Sequence, residues 1–198
     1  LGIAPHLALA TLPTALVVVG TALAAMPASL FSRRVGRKAG FLCGTVLAAA
    51  SGAACTAAIF VESFWLLALG GLLFGFFAGF AQLYRFAVAD VASEAFRPRA
   101  ISLVLAGGVF AGLAGPQLAD WGEMLISDQR FMGGFLFMIA VALLAALALM
   151  FLSIPNLTKK QLDGPQRPLL EIMKQPVFIA AAVSATIAQT VMNFLMTA

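Results

Sequence analysis

Apolar positions along this chain run without interruption and do not alternate. Six stretches hold at most one charged residue each: Leu7–Phe31, Ala39–Val61, Ser63–Ala89, Ala100–Ala119, Phe131–Ile154 and Pro176–Ala198. A bilayer core of about 30 Å needs about 20 apolar residues of helix, and every stretch reaches that length. Membrane β-strands would show segments of roughly 10 residues with alternating character. Runs such as "FMIAVALLAALALMFL" do not alternate. Helices satisfy their own backbone hydrogen bonds in lipid, so the pattern predicts an all-α integral membrane protein with six transmembrane helices.

Composition sharpens this. Of the 198 residues, 62% are hydrophobic and 10% charged, whereas a water-soluble domain carries roughly 25% charged residues. Such a chain is solvated by the lipid bilayer. Cys43 and Cys55 lie in one span, about 18 Å apart along a helix, and neither has metal-ligand spacing with His or Cys. No cofactor or metal is expected. No paired carboxylates at mid-span and no nucleophile beside a base are present, which argues against a membrane enzyme, and nothing in the pattern asks for nucleic acid. The chain opens on Leu1 without a basic leader and closes at Ala198 inside an apolar run, so it is read as a piece of a longer protein.

The polar positions set the topology. Loops on one side hold Arg33, Arg34, Arg37 and Lys38, then Arg97 and Arg99, then Lys159, Lys160, Arg167 and Lys174, which is ten of the twelve Lys and Arg. The opposite loops hold only Arg130, and Arg85 lies within a span. Excess positive charge marks cytoplasmic loops, so six crossings are expected with the basic loops in the cytoplasm of a bacterial inner membrane. The stretch "PNLTKKQLDGPQRPLLEIMKQP" carries four prolines and reads as a linker. The expected organisation is a helical bundle over 1–154, a cytoplasmic linker over 155–175 with a short interfacial helix at Leu169–Lys174, and the first helix of a second bundle over 176–198.

Small residues recur every fourth position: Gly40, Gly44, Ala48 and Gly52 in the second span, and Gly71, Gly75 and Gly79 in the third. The fourth span carries Gly108 and Gly112, overlapping Gly107, Ala111 and Gly115. Such ladders let helices approach closely in lipid, so a tight bundle is predicted. Gly115–Pro116 within the fourth span predicts a kink there.

The turn "SLFSRRVGRKAG" resembles a signature of the major facilitator superfamily, G-x-L-a-D-R-x-G-R-K between the second and third helices. Arg34, Gly36, Arg37 and Lys38 match; Ser29 stands in place of the Gly and Arg33 in place of the Asp. "ADVASEAFRPRAISL" is similar to the family's fourth-helix end, with Asp90, Arg97, Arg99 and Ala100 at the matching positions. "GLAGPQL" resembles the family's antiporter pattern, with Gln117 and Leu118 replacing its trailing glycines. The resemblance covers the whole chain as family helices two to seven. It implies one further helix before Leu1, about five after Ala198, and a gate in which Arg37 or Arg34 pairs with Asp90. As a plain alternative, the basic turn is a cytoplasmic anchor.

Charge within a span is expensive and usually faces a cavity or a partner. Arg85, with Gln82 three residues earlier on the same face, is a candidate substrate contact or counter-ion; snorkelling to the surface is the alternative. In the last span Thr186, Gln189, Thr190, Asn193 and Thr197 share a face, and Gln189 and Asn193 are candidates to bind cargo or to bond between helices. No acidic residue sits at mid-span, so a proton-coupling group would lie elsewhere in the protein, or coupling is absent. Two functions fit: a secondary active transporter moving a small organic solute by alternating access, including proton-coupled efflux, or a non-transporting facilitator-fold subunit or assembly factor.

Overall fold

The computed structural model describes residues 9–125, 131–152 and 175–197. The linker over 155–174, with the expected interfacial helix at Leu169–Lys174, lies outside the described residues, as does Arg130. The chain divides into two compact units, Leu1–Leu157 and Thr158–Ala198.

In the first unit every described element is helical. α1 runs Leu12–Val35, α2 Arg37–Phe60, α3 Phe64–Ala81, α4 Leu83–Val91, α5 Arg97–Leu125 and α6 Met132–Phe151. Five helical segments are long and apolar enough to cross a membrane, with α3 and most of α4 forming one of them, Phe64–Val88. Gln82 separates α3 from α4 but keeps near-helical torsions (φ −56°, ψ −26°), so the span is nearly continuous. Helix ends follow local chemistry. Pro13 stands in the first turn of α1, where its missing N–H leaves nothing unpaired. The Ser63 hydroxyl caps α3 by accepting from the Leu66 amide at 3.4 Å.

Their main contacts order the helices in space as α1–α3–α2–α6–α5. Small residues set the close approaches. A Cβ placed on Gly75 would stand 2.9 Å from the Cα of Gly20, and one on Gly79 would stand 2.5 Å from the Cβ of Ala24. α2 is the central helix. Its Gly44 faces Phe80 of α3, while Gly52 faces Ile139 and the Phe135 carbonyl of α6. Between α2 and α3 the buried Ser51 hydroxyl donates to the Gly70 carbonyl at 2.8 Å.

The second and third spans therefore pack through the ladders read from sequence, and α1 adds a stripe of its own, buried Gly20, Ala24, Ala28 and Ser32. The ladder in α5 behaves differently. A Cβ at Gly107, Gly108, Gly112 or Gly115 would meet nothing within 4 Å among the described residues, and α5 stays helical through Pro116 to Leu125. α6 meets α5 through Gly122 and Gly133 near the opposite end.

The second unit, taken by itself, contains α7, Pro176–Thr197, a helix of 22 residues.

Candidate functional site at the basic end

Gly36 alone separates α1 from α2. Its φ of 108° and ψ of 154° lie in a region essentially reserved for glycine. This is why the motif needs Gly at this position. The turn closes with the Gly36 amide donating to the Ser32 carbonyl and the Gly40 amide to the Gly36 carbonyl, both at 3.1 Å. The four cations thus belong to helix ends. Arg33 and Arg34 lie in the last turn of α1, where positive charge complements the helix dipole by about 0.3–1 kcal/mol. Arg37 and Lys38 open α2, where the same dipole opposes them by a similar amount.

Both unfavourably placed cations reach across to other helices. Arg37 is only 9% exposed and lines a cavity of about 130 Å³ with Arg33, Ser32, Phe41 and, from α4, Leu83, Phe86 and Ala87. Lys38 Nζ donates to the Met150 carbonyl at 2.8 Å, one of the last carbonyls of α6, which have no partner within their own helix. At the same end, Phe41 meets Tyr84 edge-on with centroids 4.5 Å apart, and Phe31 meets Phe80 at 6.2 Å. The hydroxyl of Ser32, buried against Gly40, has no hydrogen-bond partner among the described residues.

The remaining predicted site residues fall around this cavity or away from it. Arg34 is exposed and is not part of the lining. Asp90 lies on α4, one turn beyond Ala87; its side chain is outside the described set. Arg97 and Arg99 open α5 at this end and are exposed. Gly115 and Pro116 lie far along α5. Arg85 Nη2 donates to Gln82 Oε1 at 2.5 Å, both residues are exposed, and the guanidinium lies 5.4 Å from the ring centre of Phe86. Neither Arg85 nor Gln82 is among the residues lining the cavity, though Phe86 is. In α7, Thr186 is exposed, and the side chains of Gln189 and Asn193 are outside the described set.

A larger cavity of about 400 Å³ sits at the opposite end, lined by Thr14, Ser51, Cys55, Phe64, Phe74 and Phe135 among others. Its surface is nearly all carbon, and Ser51 spends its hydroxyl on Gly70. Apolar side chains suit it better than a polar solute.

The sequence matches the Major Facilitator Superfamily profile over residues 1–198. The chain belongs to this family. Among curated proteins it is 39% identical over 193 residues to the riboflavin transporter RfnT of Brucella anthropi, covering 96% of this chain and 48% of that protein. It is also 28% identical over 152 residues to YdeG and 30% identical over 152 residues to YddS, both uncharacterized MFS-type transporters of Bacillus subtilis. They are covered over 35% and 34% of their lengths, so the chain spans about half or less of the relatives it matches. No solved structure matches. Family and apolar helices together make this an integral membrane protein of a transporter family, a partial all-α facilitator fold.

The sequence did not single out Ser32, Phe41, Leu83 and Ala87, which build the basic-end cavity. The four-residue spacing of Gly20, Ala24, Ala28 and Ser32 was the available signal for the face of α1 that carries it.

Proposed function

We propose that the full-length protein is a secondary active transporter that moves a small organic solute across a bacterial inner membrane by alternating access, with the basic loops in the cytoplasm. Riboflavin is the first solute to test, because it is the named cargo of the 39% identical relative. The observation that carries this reading is the small cavity in which Arg33 and Arg37 meet α4. A charged seam between helix ends, backed by aromatic contacts, suits a gate that opens and closes as helices rock. Asp90 follows Ala87 by three residues on α4, so its Cα lies near the face that lines the cavity. This favours Arg37 over Arg34 as its gate partner.

Arg85 and Gln82 contact the solute. They form one hydrogen-bonded polar pair on an exposed face within a span, where an unshielded charge against lipid would be costly. Gln189, Asn193 and Thr186 add a second polar face on the other side of the linker. Every Asp and Glu of the chain lies near a span end or in a loop, so a coupled mechanism would draw its proton-carrying group from the rest of the protein. Arg33 at the position of the family's Asp favours a second reading, a facilitator-fold subunit that does not transport.

Reconstituted full-length protein separates the two. Saturable riboflavin flux, outward or inward and responsive to an imposed pH gradient, supports coupled transport. Flux no greater than in protein-free vesicles, with a membrane partner co-purifying, would leave the subunit reading in its place.

A further inference from the structure

We infer that Lys38 is a positioning residue that clamps the C-terminal end of α6 to the start of α2, a task separate from gating by its neighbour Arg37. Three observations carry this. The ammonium of Lys38 donates to the Met150 carbonyl at 2.8 Å across 112 residues of sequence. The last turn of α6 holds no basic residue of its own, so its carbonyl end is compensated from outside the helix. Finally, a cation in the first turn of α2 opposes that helix's dipole, and its placement is repaid only by a partner elsewhere.

The two motif cations diverge in space. Arg37 points to the cavity it shares with α4, whereas Lys38 reaches α6. The first contact joins the turn to a segment that a gate would move. The second joins α2 to the helix already packed along it through Gly52 and Ile139, and it holds the end of α6 beside α2. Lys38 thus keeps α2 and α6 moving as one body. This rests on the transport reading only for its effect on rate; the clamp itself is a property of the fold.

The test uses the full-length protein with Cys43 and Cys55 replaced by alanine and spin labels at Val46 and Leu147, exposed positions on α2 and α6. Lys38→Met should broaden the distance distribution between them, and Lys38→Arg, which keeps a donor of similar reach, should restore a narrow one. Labels at Leu23 and Leu69, on α1 and α3, should be unaffected by either change. Where riboflavin flux is measurable, Lys38→Met should lower its maximal rate about 2- to 10-fold, the factor set by one hydrogen bond, and leave the half-saturating concentration unchanged. A Val46–Leu147 distribution as narrow in Lys38→Met as in the parent would overturn the clamp, whatever the flux. A broadened distribution in a protein that moves no solute would uphold the clamp and count against the transport reading alone.

Discussion

Arg85 and Gln82 form a bonded pair, Nη2 to Oε1 at 2.5 Å, at exposed positions beside Phe86, whose ring lies 5.4 Å from the Arg85 guanidinium. Three residues of separation bring the two side chains together on one helical face. The pair presents several N–H donors and one amide in a span whose other polar side-chain groups are the Trp65 indole and the Tyr84 hydroxyl. If this is where solute docks, Arg85→Ala should reduce riboflavin flux by about 10-fold or more, the worth of a hydrogen bond to a charged group. Gln82→Ala should do so less severely. Because both side chains are exposed, the melting temperature of each variant should stay close to the parent's. Unchanged flux in both would remove them from the site.

Gly36 makes a second prediction. At φ 108° and ψ 154°, any Cβ is strained, so Gly36→Ala should destabilise the protein by about 1–3 kcal/mol. The check is thermal unfolding in detergent, compared with Ala39→Gly as a mild helix-interior control.

The turn between α2 and α3 makes the converse case. Glu62 has φ 50°, its amide donates to the Ile59 carbonyl at 3.3 Å, and the Ser63 amide donates to Ala58 at 3.0 Å. That is a Schellman ending with a non-glycine residue in the left-handed position, at a cost of about 1–2 kcal/mol. Glu62→Gly should therefore raise stability by about 0.5–1 kcal/mol after the extra chain entropy glycine brings to the unfolded state. A lowered melting temperature would contradict this.

Close packing of α1 on α3 gives a fourth. A Cβ on Gly75 would meet the Thr21 amide nitrogen at 2.9 Å as well as the Gly20 Cα, and neither backbone atom can swing aside. Gly75→Ala should destabilise by about 1–3 kcal/mol through overpacking, and Gly75→Val by more. Unfolding of the two variants, ranked against the parent, is the measurement.

Spans were legible because they depend on composition in windows of about 20 residues. Gly36 was picked out only by its match to the family motif; that it alone separates two helices is a finding of the structure, because helix ends are not set by composition. What the sequence hid is long-range. Gly75 and Gly112 look alike in their ladders, yet one touches α1 and the other meets nothing in this unit; identical spacing does not say which face finds a neighbour. Lys38 read as one more cation of a cluster, since only the return of α6 to the same end puts the Met150 carbonyl within its reach. Pro116 predicted a kink, and α5 is helical on both sides of it.

The central claim is that the cavity under the basic turn is a gate that moves during transport. Ala87 is buried and lines that cavity. In the full-length protein lacking its native cysteines, Ala87→Cys should react with a membrane-impermeant maleimide at a rate that changes when riboflavin saturates the transporter, because occupancy shifts the balance between closed and open forms. The same labelling rate with and without saturating riboflavin would contradict it.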